Sequence, residues 1–293
     1  MQNDAQRCSS FHVWLLVILM AVGFSALANE SKTKVIWLTP DLQDFEVFNQ
    51  DGPFNIANDT NKLLINSLPD YDISLELVSL ARIERRIKSE SNVCVVNRIK
   101  NKERLAYSLF SLPINSYPDL KVYALTSSEL NAYLADRKLS SIYELFQLFP
   151  SHILGTTKGR SYGAFFDQQI SKLNPINVYQ KTGEIDVDSK LEMLINKRIQ
   201  YFLEFPAVVK REKDKLGVAA QMITMQVKGS PDYIFGHLSC SKSSAMMAFL
   251  ADVNEALKRL YLSPEFILAH TRYVDPSEWE RLERLFKELA QQQ

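Results

Sequence analysis

Apolar positions along this chain come in short runs, separated by amphipathic segments, and the two kinds alternate almost from end to end. KVIWLT at 34–39 predicts a buried strand. Residues 40–60 are polar and carry Gly52-Pro53, which predicts a loop; a helix is expected over 61–68. Ile73, Leu75 and Leu77 alternate within a strand at 73–78, and 80–90 reads as a helix whose Arg82, Arg85, Arg86 and Lys88 are solvated. A short strand at 93–96 carries Cys94; Pro113 and Pro118 then bracket a non-helical stretch, and LKVYAL at 120–125 is a strand. One long helix is expected over 128–149, ended by Pro150. A strand at 152–157 and a helix opened by Gly159 follow, then a strand at 177–179, a helix at 188–197, a strand at 199–203 and a helix from Pro206. A strand at 222–227 runs into the break Gly229-Ser230-Pro231, and the last strand is expected at 233–238. Two helices close the chain. The first repeats Met247, Leu250, Val253, Leu257 and Leu260; the second opens with Ser277 and Glu280 in capping-box spacing and buries Leu282, Leu285, Phe286 and Leu289. Strands alternating with helices predict an α/β class with mainly parallel sheets.

Composition adds little to this pattern except at the start of the chain. The 293 residues are 46% hydrophobic and 23% charged, with Lys+Arg and Asp+Glu both at 34, so no net charge points to nucleic acid as a partner. Only nine glycines argue against several phosphate-binding loops. The first 28 residues read as a cleavable signal peptide: Arg7, the apolar run VWLLVILM at 13–20 continuing to Phe24, then Ala26-Leu27-Ala28 as the cleavage site. The run is shorter than the about 20 residues of a membrane span. Cleavage would remove Cys8 and leave Cys94 and Cys240 in a chain exported to an oxidising space. A disulfide is the default reading of an even count there, with two buried thiols as the alternative.

Candidate chemistry is sparse. Gly159-Arg160-Ser161-Tyr162-Gly163 fits the G-x-S-x-G nucleophile elbow, with His237 or His270 as base and Asp186 or Asp214 as acid. Against it, no oxyanion-loop motif lies upstream and the serine does not directly follow the strand. The same segment also reads as a loop entering a helix N-terminus, where free N–H groups favour an anion. The mature histidines His152, His237 and His270 are far apart, without CxxC or HExxH spacing, so neither a metal nor a cofactor is expected.

Several stretches carry a family likeness: VIWLTPDLQDFEVFNQDGP near the start, LPDYDISLELVSLARIERRIKSESNVCVVNRIKNKERLAYSLFSLP after it, GTTKGRSYG, and YIFGHLSCSKSSAMMAFLADVNEAL late. In these the chain resembles extracellular solute-binding proteins of family 3, and most of all a proteobacterial branch of them. The resemblance implies the two-lobed type II periplasmic binding protein fold. The first lobe would be discontinuous, 29–117 plus 232–293, and the second would fill 118–231, with crossings at 115–119 and 227–231. It also implies that the strands holding Cys94 and Cys240 are neighbours in one sheet. A ligand would lie between the lobes at strand C-terminal ends.

The site residues the resemblance implies are as follows. Phe45 and Phe48 fall where the family has an aromatic wall, although Val47 stands in place of its proline; packing in the core is the alternative. Arg104 matches an arginine that clamps a ligand carboxylate, a task suited to a planar fork; a surface ion pair is the alternative. Asn101 replaces that motif's threonine, and Asn97 is a neighbouring polar position. Thr156, Thr157, Arg160 and Ser161 surround the helix start. Gln200 stands where an acid would hold a ligand ammonium, and Glu204 is the nearest carboxylate. The function implied is capture of a small polar, anionic or carboxylate-bearing solute by a monomer, for an ABC importer or membrane sensor, without chemistry. The eroded motif at Val47 and Gln200 keeps open a scaffold or interaction protein that has lost its ligand. A serine hydrolase using Ser161 is the remote alternative.

Overall fold

The computed structural model describes residues 32–134, 138–183, 187–216 and 222–291, and 33–291 of these belong to one compact unit. The expected signal peptide at 1–28, with Cys8, lies outside the described residues.

The described residues form ten strands: β1 (Thr33–Thr39), β2 (Tyr71–Leu77), β3 (Val93–Arg98), β4 (Ser108–Pro118), β5 (Lys121–Leu125), β6 (Leu154–Thr157), β7 (Val178–Lys181), β8 (Tyr201–Glu204), β9 (Met222–Met225) and β10 (Tyr233–Ser241). Their helices are α1 (Leu42–Val47), α2 (Ile56–Asn66), α3 (Leu80–Ser89), α4 (Lys102–Leu105), α5 (Ser128–Leu134), α6 (Tyr143–Leu148), α7 (Gly163–Ile170), α8 (Val187–Ile195), α9 (Pro206–Leu216), α10 (Ser244–Leu260), α11 (Pro264–Thr271) and α12 (Trp279–Gln291). The strands make two five-stranded sheets, ordered β2-β1-β3-β10-β4 and β7-β6-β8-β5-β9. Both sheets are mixed. β1 pairs in parallel with β2 and β3, while β10 runs antiparallel to β3 and β4. β6 is parallel to β7 and β8, while β5 is antiparallel to β8 and β9. The antiparallel strands are those nearest the crossings, where the chain leaves the first sheet after Pro118 and re-enters it at Tyr233.

Continuous apolar strands need helices on both faces, because successive side chains point to opposite sides. In β1, Val35 and Trp37 join Leu64 of α2, Phe266 of α11 and Phe286 of α12 in one core, while Leu38 packs with Ile83 and Ile87 of α3 on the other face. In the second sheet Val122 and Leu203 face Leu130 of α5 and Phe166 of α7, while Tyr123 and Phe202 face Leu191 of α8 and Val209 of α9. Cys94 and Cys240 stand directly opposite in the β3–β10 pairing and are joined by a disulfide, with Cα atoms 3.9 Å apart.

Several elements differ from the sequence pattern. The expected loop at 40–60 contains α1 and the start of α2, capped by Asp41 and Asn55, whose carboxylate and amide oxygens accept backbone N–H bonds. The proline-bracketed stretch is strand β4; it lies at the sheet edge, where the N–H that Pro113 lacks goes unused. The long helix over 128–149 is two short ones, with Leu139 between them in an isolated bridge to Val227. α7 opens at Gly163 rather than Gly159. Three helices close the chain rather than two, since Ser263 caps an additional one with Pro264 in its first turn. The last begins at Trp279, and the cap before it is Asp275, not Ser277. No helix among the described residues is long and apolar enough to cross a membrane.

Candidate functional site

The two sheets aim the C-terminal ends of their parallel strands at a common cavity of about 400 Å³. This is where open α/β sheets place ligands, because the loops there diverge and leave backbone groups unpaired. Thr39 ends β1, Asn97 and Arg98 end β3, Arg160 and Ser161 follow β6, and Glu204 ends β8; all line the cavity.

On the first lobe Asn97 adopts a left-handed backbone, φ 53°. That turns its side chain into a chain of amides: Asn115 Nδ2 donates to Asn97 Oδ1 at 2.7 Å, and Asn97 Nδ2 donates to Asp44 Oδ2 at 3.1 Å. Asn55 Nδ2 donates to the other Asp44 oxygen at 3.0 Å. Gly236 is required beside this network, since a Cβ there would sit 2.1 Å from Asn115 Oδ1. Asp41 caps α1 through Gln43 N and Asp44 N.

Arg104 lies on α4, whose cap is Asn101; the Asn101 side chain accepts from Arg104 N at 2.9 Å. The Arg104 guanidinium is buried. It donates to the Ile99 carbonyl at 2.9 Å and, across the cavity, to the Gly159 carbonyl of the second lobe at 3.2 Å. Gly159 permits that approach: its φ is +81°, and a Cβ would touch Leu80 of the first lobe. Burial, with the like charge of Arg98 beside it, lowers the Arg104 pKa. Arg98 is also buried, paired with Glu84 and bonded to Tyr107 Oη, and its Nη1 has no hydrogen-bond partner among the described residues.

On the second lobe Glu204 takes both Arg160 Nη atoms, at 2.6 and 2.7 Å, and Lys190 Nζ at 3.1 Å. Burial alone would raise the Glu204 pKa; the two cations overcome it and hold it at about 2. Burial disfavours charge on Arg160 too, and Glu204 outweighs it, so the guanidinium is held more firmly protonated.

Of the ten ligand residues implied by the resemblance, Asn97, Arg104, Arg160, Ser161 and Glu204 line this cavity. Phe45 does not, being 40% exposed on α1; Phe48 is half-buried at the end of that helix. Thr156 Oγ1 bonds the Tyr179 carbonyl, and Thr157 N donates to Tyr162 Oη. Gln200 pins the start of β8, accepting from Ile153 N and donating to the Lys197 carbonyl. The helix N-terminus expected to hold an anion is already filled from within: Asp167 accepts from Tyr162 N and from Ser161 Oγ at 2.5 Å, and Ser161 Oγ accepts from Gly163 N.

That geometry also removes the nucleophile-elbow reading. Ser161 is bonded to a carboxylate rather than to an imidazole. His237 Nδ1 is paired with the Ser111 carbonyl at 2.9 Å, and His270 lies in the first-lobe core between the Phe266 carbonyl and Ser116 N. Asp186 lies outside the described residues.

Sequence reasoning missed Arg98, the Asp41 and Asp44 carboxylates, and the Tyr117–Phe205 ring pair, 4.7 Å apart between the two sheets. The N-cap preference of aspartate signals Asp41. Nothing local marks Arg98, because its partners are Glu84 of α3 and Tyr107 beyond α4, which only the fold brings to it.

No protein-family profile matches the chain, and no curated protein does. Solved structures do. EhuB in complex with hydroxyectoine is 14% identical over 90% of this chain and 96% of that one, with a TM-score of 0.65. A structure from work on glutathione import via GshT and the cystine ABC importer TcyBC of Streptococcus mutans is 12% identical, covering 83% and 95%, with a TM-score of 0.62. The arginine-, lysine-, histidine-binding protein ArtJ of Geobacillus stearothermophilus is 14% identical, covering 86% and 100%, with a TM-score of 0.60. At these identities the likeness is one of fold, the two-lobed type II periplasmic binding protein fold, and it favours no particular branch.

Proposed function

We propose that this chain is a periplasmic solute-binding protein. It captures a small polar, carboxylate-bearing solute between its lobes and, as a monomer, presents it to an ABC importer or a membrane sensor, without chemistry of its own. The observation that carries this reading is Arg104. A buried guanidinium has five N–H donors, and here two of them meet backbone carbonyls while no carboxylate pairs with it among the described residues. Leaving such a charge in a low-dielectric wall costs several kcal/mol unless something neutralises it, and the cavity beside it, about 400 Å³, is the size of a small solute. The names of similarly folded proteins support the same reading: hydroxyectoine, glutathione and basic amino acids are small polar solutes. Because Arg104 also reaches Gly159 across the cavity, closing the lobes and neutralising the ligand become one event.

Native mass spectrometry of protein taken from the periplasm tests the proposal. A small molecule should ride with the wild type and be lost from Arg104→Ala, whose affinity should fall by about 30- to several-thousand-fold, the equivalent of about 2–5 kcal/mol. Wild-type protein that carries no solute, and responds to none, would instead favour the scaffold reading, for which the internally neutralised Glu204 is the supporting observation.

A further inference from the structure

The two crossings between the lobes touch each other. Asp119, the residue after β4, donates its backbone N–H to the Asp232 carbonyl of the return crossing at 3.0 Å. Its side chain reaches the same crossing, where Ser230 Oγ lies 2.5 Å from Asp119 Oδ2. Asp119 is 4% exposed, and its Oδ1 has no hydrogen-bond partner among the described residues. An ionised carboxylate accepts at both oxygens, and one buried with an oxygen unserved is strongly disfavoured. Protons are short on the serine side as well. Ser230 Oγ lies 2.9 Å from the Val227 carbonyl, and the turn holds it there because Ser230 N donates to that carbonyl at 3.2 Å. A hydroxyl has one proton to give. Given to Val227, it leaves two bare oxygens facing each other between Ser230 and Asp119. Given to Asp119, it leaves the same conflict at Val227. One proton on Asp119 Oδ2 resolves both: the carboxyl donates to Ser230, and Ser230 donates to Val227.

The charged groups around Asp119 pull in opposite directions. Lys121 of β5 places Nζ 3.3 Å from Oδ2 and favours the anion. Asp232 on the return crossing opposes it, and Arg281 of α12 pairs with Asp232. Burial is the largest influence and, with Asp232, lifts the Asp119 carboxyl above its ordinary range despite Ser230 and Lys121. The lobes are closed in this structure, since Arg104 meets the Gly159 carbonyl across the cavity.

We infer that Asp119 is a proton-binding hinge residue: protonated, it ties the two crossings together through Ser230 and holds the lobes closed; ionised, it draws water to Oδ1 and parts the crossings toward an open form. The closed form then binds the proton more tightly than the open one. By linkage, acidification favours closure, and the closed-to-open ratio falls as the pH rises, by at most about tenfold per pH unit for one proton. Asp119 touches no solute and acts by position. This adds a control on closure to the capture reading, while the hinge proton itself is independent of whether the cavity takes a solute.

The test uses protein taken from the periplasm and dialysed free of small molecules. Infrared difference spectra between wild type and Asp119→Asn, from about pH 4 to 8, read the carboxyl proton. Small-angle X-ray scattering over the same series reads the opening of the lobes. A carboxylic-acid band should persist in wild type above the range where an aspartate of ordinary pKa, 3.8, has ionised, and the radius of gyration should rise as the band is lost. Asp119→Asn, whose amide donates to Ser230 at every pH, should stay compact throughout. Lys121→Met removes the cation that favours the anion, so the band and the opening should both move to higher pH; this shift is read against wild type even if the asparagine variant does not fold. An absent band overturns the inference, as does a radius of gyration that does not follow the band, or an opening that survives unchanged in Asp119→Asn. None of these readouts uses a solute, so their failure leaves the capture reading standing, and a protein that carries no solute leaves the hinge proton standing.

Discussion

Replacing Glu204 by glutamine removes one charge and almost no volume, which isolates the electrostatic role of the second-lobe cluster. The carboxylate is 1% exposed and takes three charge-assisted bonds, two from Arg160 and one from Lys190. Its pKa is held at about 2, against an ordinary value of 4.5. At about 1.4 kcal/mol per pH unit, that separation contributes about 3 kcal/mol of stability at neutral pH. Removing one partner of a buried pair and leaving the others uncompensated costs about 3–5 kcal/mol, so the two routes agree. Melting should fall by roughly 6–12 °C for a chain of this size. The pH dependence gives a second readout. The folded carboxyl is the stronger acid, so on acidification the unfolded chain takes up its proton first. Wild type therefore keeps this contribution above pH 4.5 and loses it progressively down to about 2. Glu204→Gln has nothing to lose there, and urea titrations of the two proteins should converge as the pH falls. Adding Lys190→Met to the variant should recover part of the loss by removing an unpaired cation. A gap below about 1 kcal/mol at pH 7 would refute the reasoning, as would a gap unchanged down to pH 3.

Three further outcomes follow from buried contacts elsewhere. The Cys94–Cys240 bridge spans 146 residues, so the Cys94→Ala/Cys240→Ala double variant should lose about 5 kcal/mol on chain-entropy grounds; unchanged urea midpoints would contradict this. In Gly236→Ala the new Cβ collides with Asn115 Oδ1, so Asn115 must release Asn97, costing about 1–3 kcal/mol together with retention of the periplasmic solute; a wild-type melt with solute retained would count against the network. His270 is fully buried, and burial holds its pKa at about 4 against 6.5, partly offset by its bond to the Phe266 carbonyl. Here too the unfolded chain binds its proton first, so stability should fall by about 3 kcal/mol between pH 6.5 and 4; a His270→Gln variant with the same pH slope as wild type would sink that assignment.

Elements that carry their own periodicity were legible without the fold. KVIWLT became β1, and the Met247–Leu260 repeat became α10, because alternation and helical spacing are local consequences of burying one face or both. Elements whose state depends on a neighbour were not. Pro113 is tolerated in β4 only because that strand is an edge, and the 128–149 helix breaks around Leu139, which pairs with Val227 instead. The disulfide stood between these cases: the cysteine count suggested it, but only the antiparallel return of β10 beside β3 sets Cys240 opposite Cys94. The site followed the same division. Arg104 could be picked out by its motif, and it does face the cavity. The partners of Arg160, however, are set by tertiary structure: Glu204 lies 44 residues along the chain and Lys190 lies 14 residues before Glu204, and folding brings all three together in the wall of the cavity. Charge balance in a buried wall depends on which groups share that space, and a linear sequence does not contain that distance.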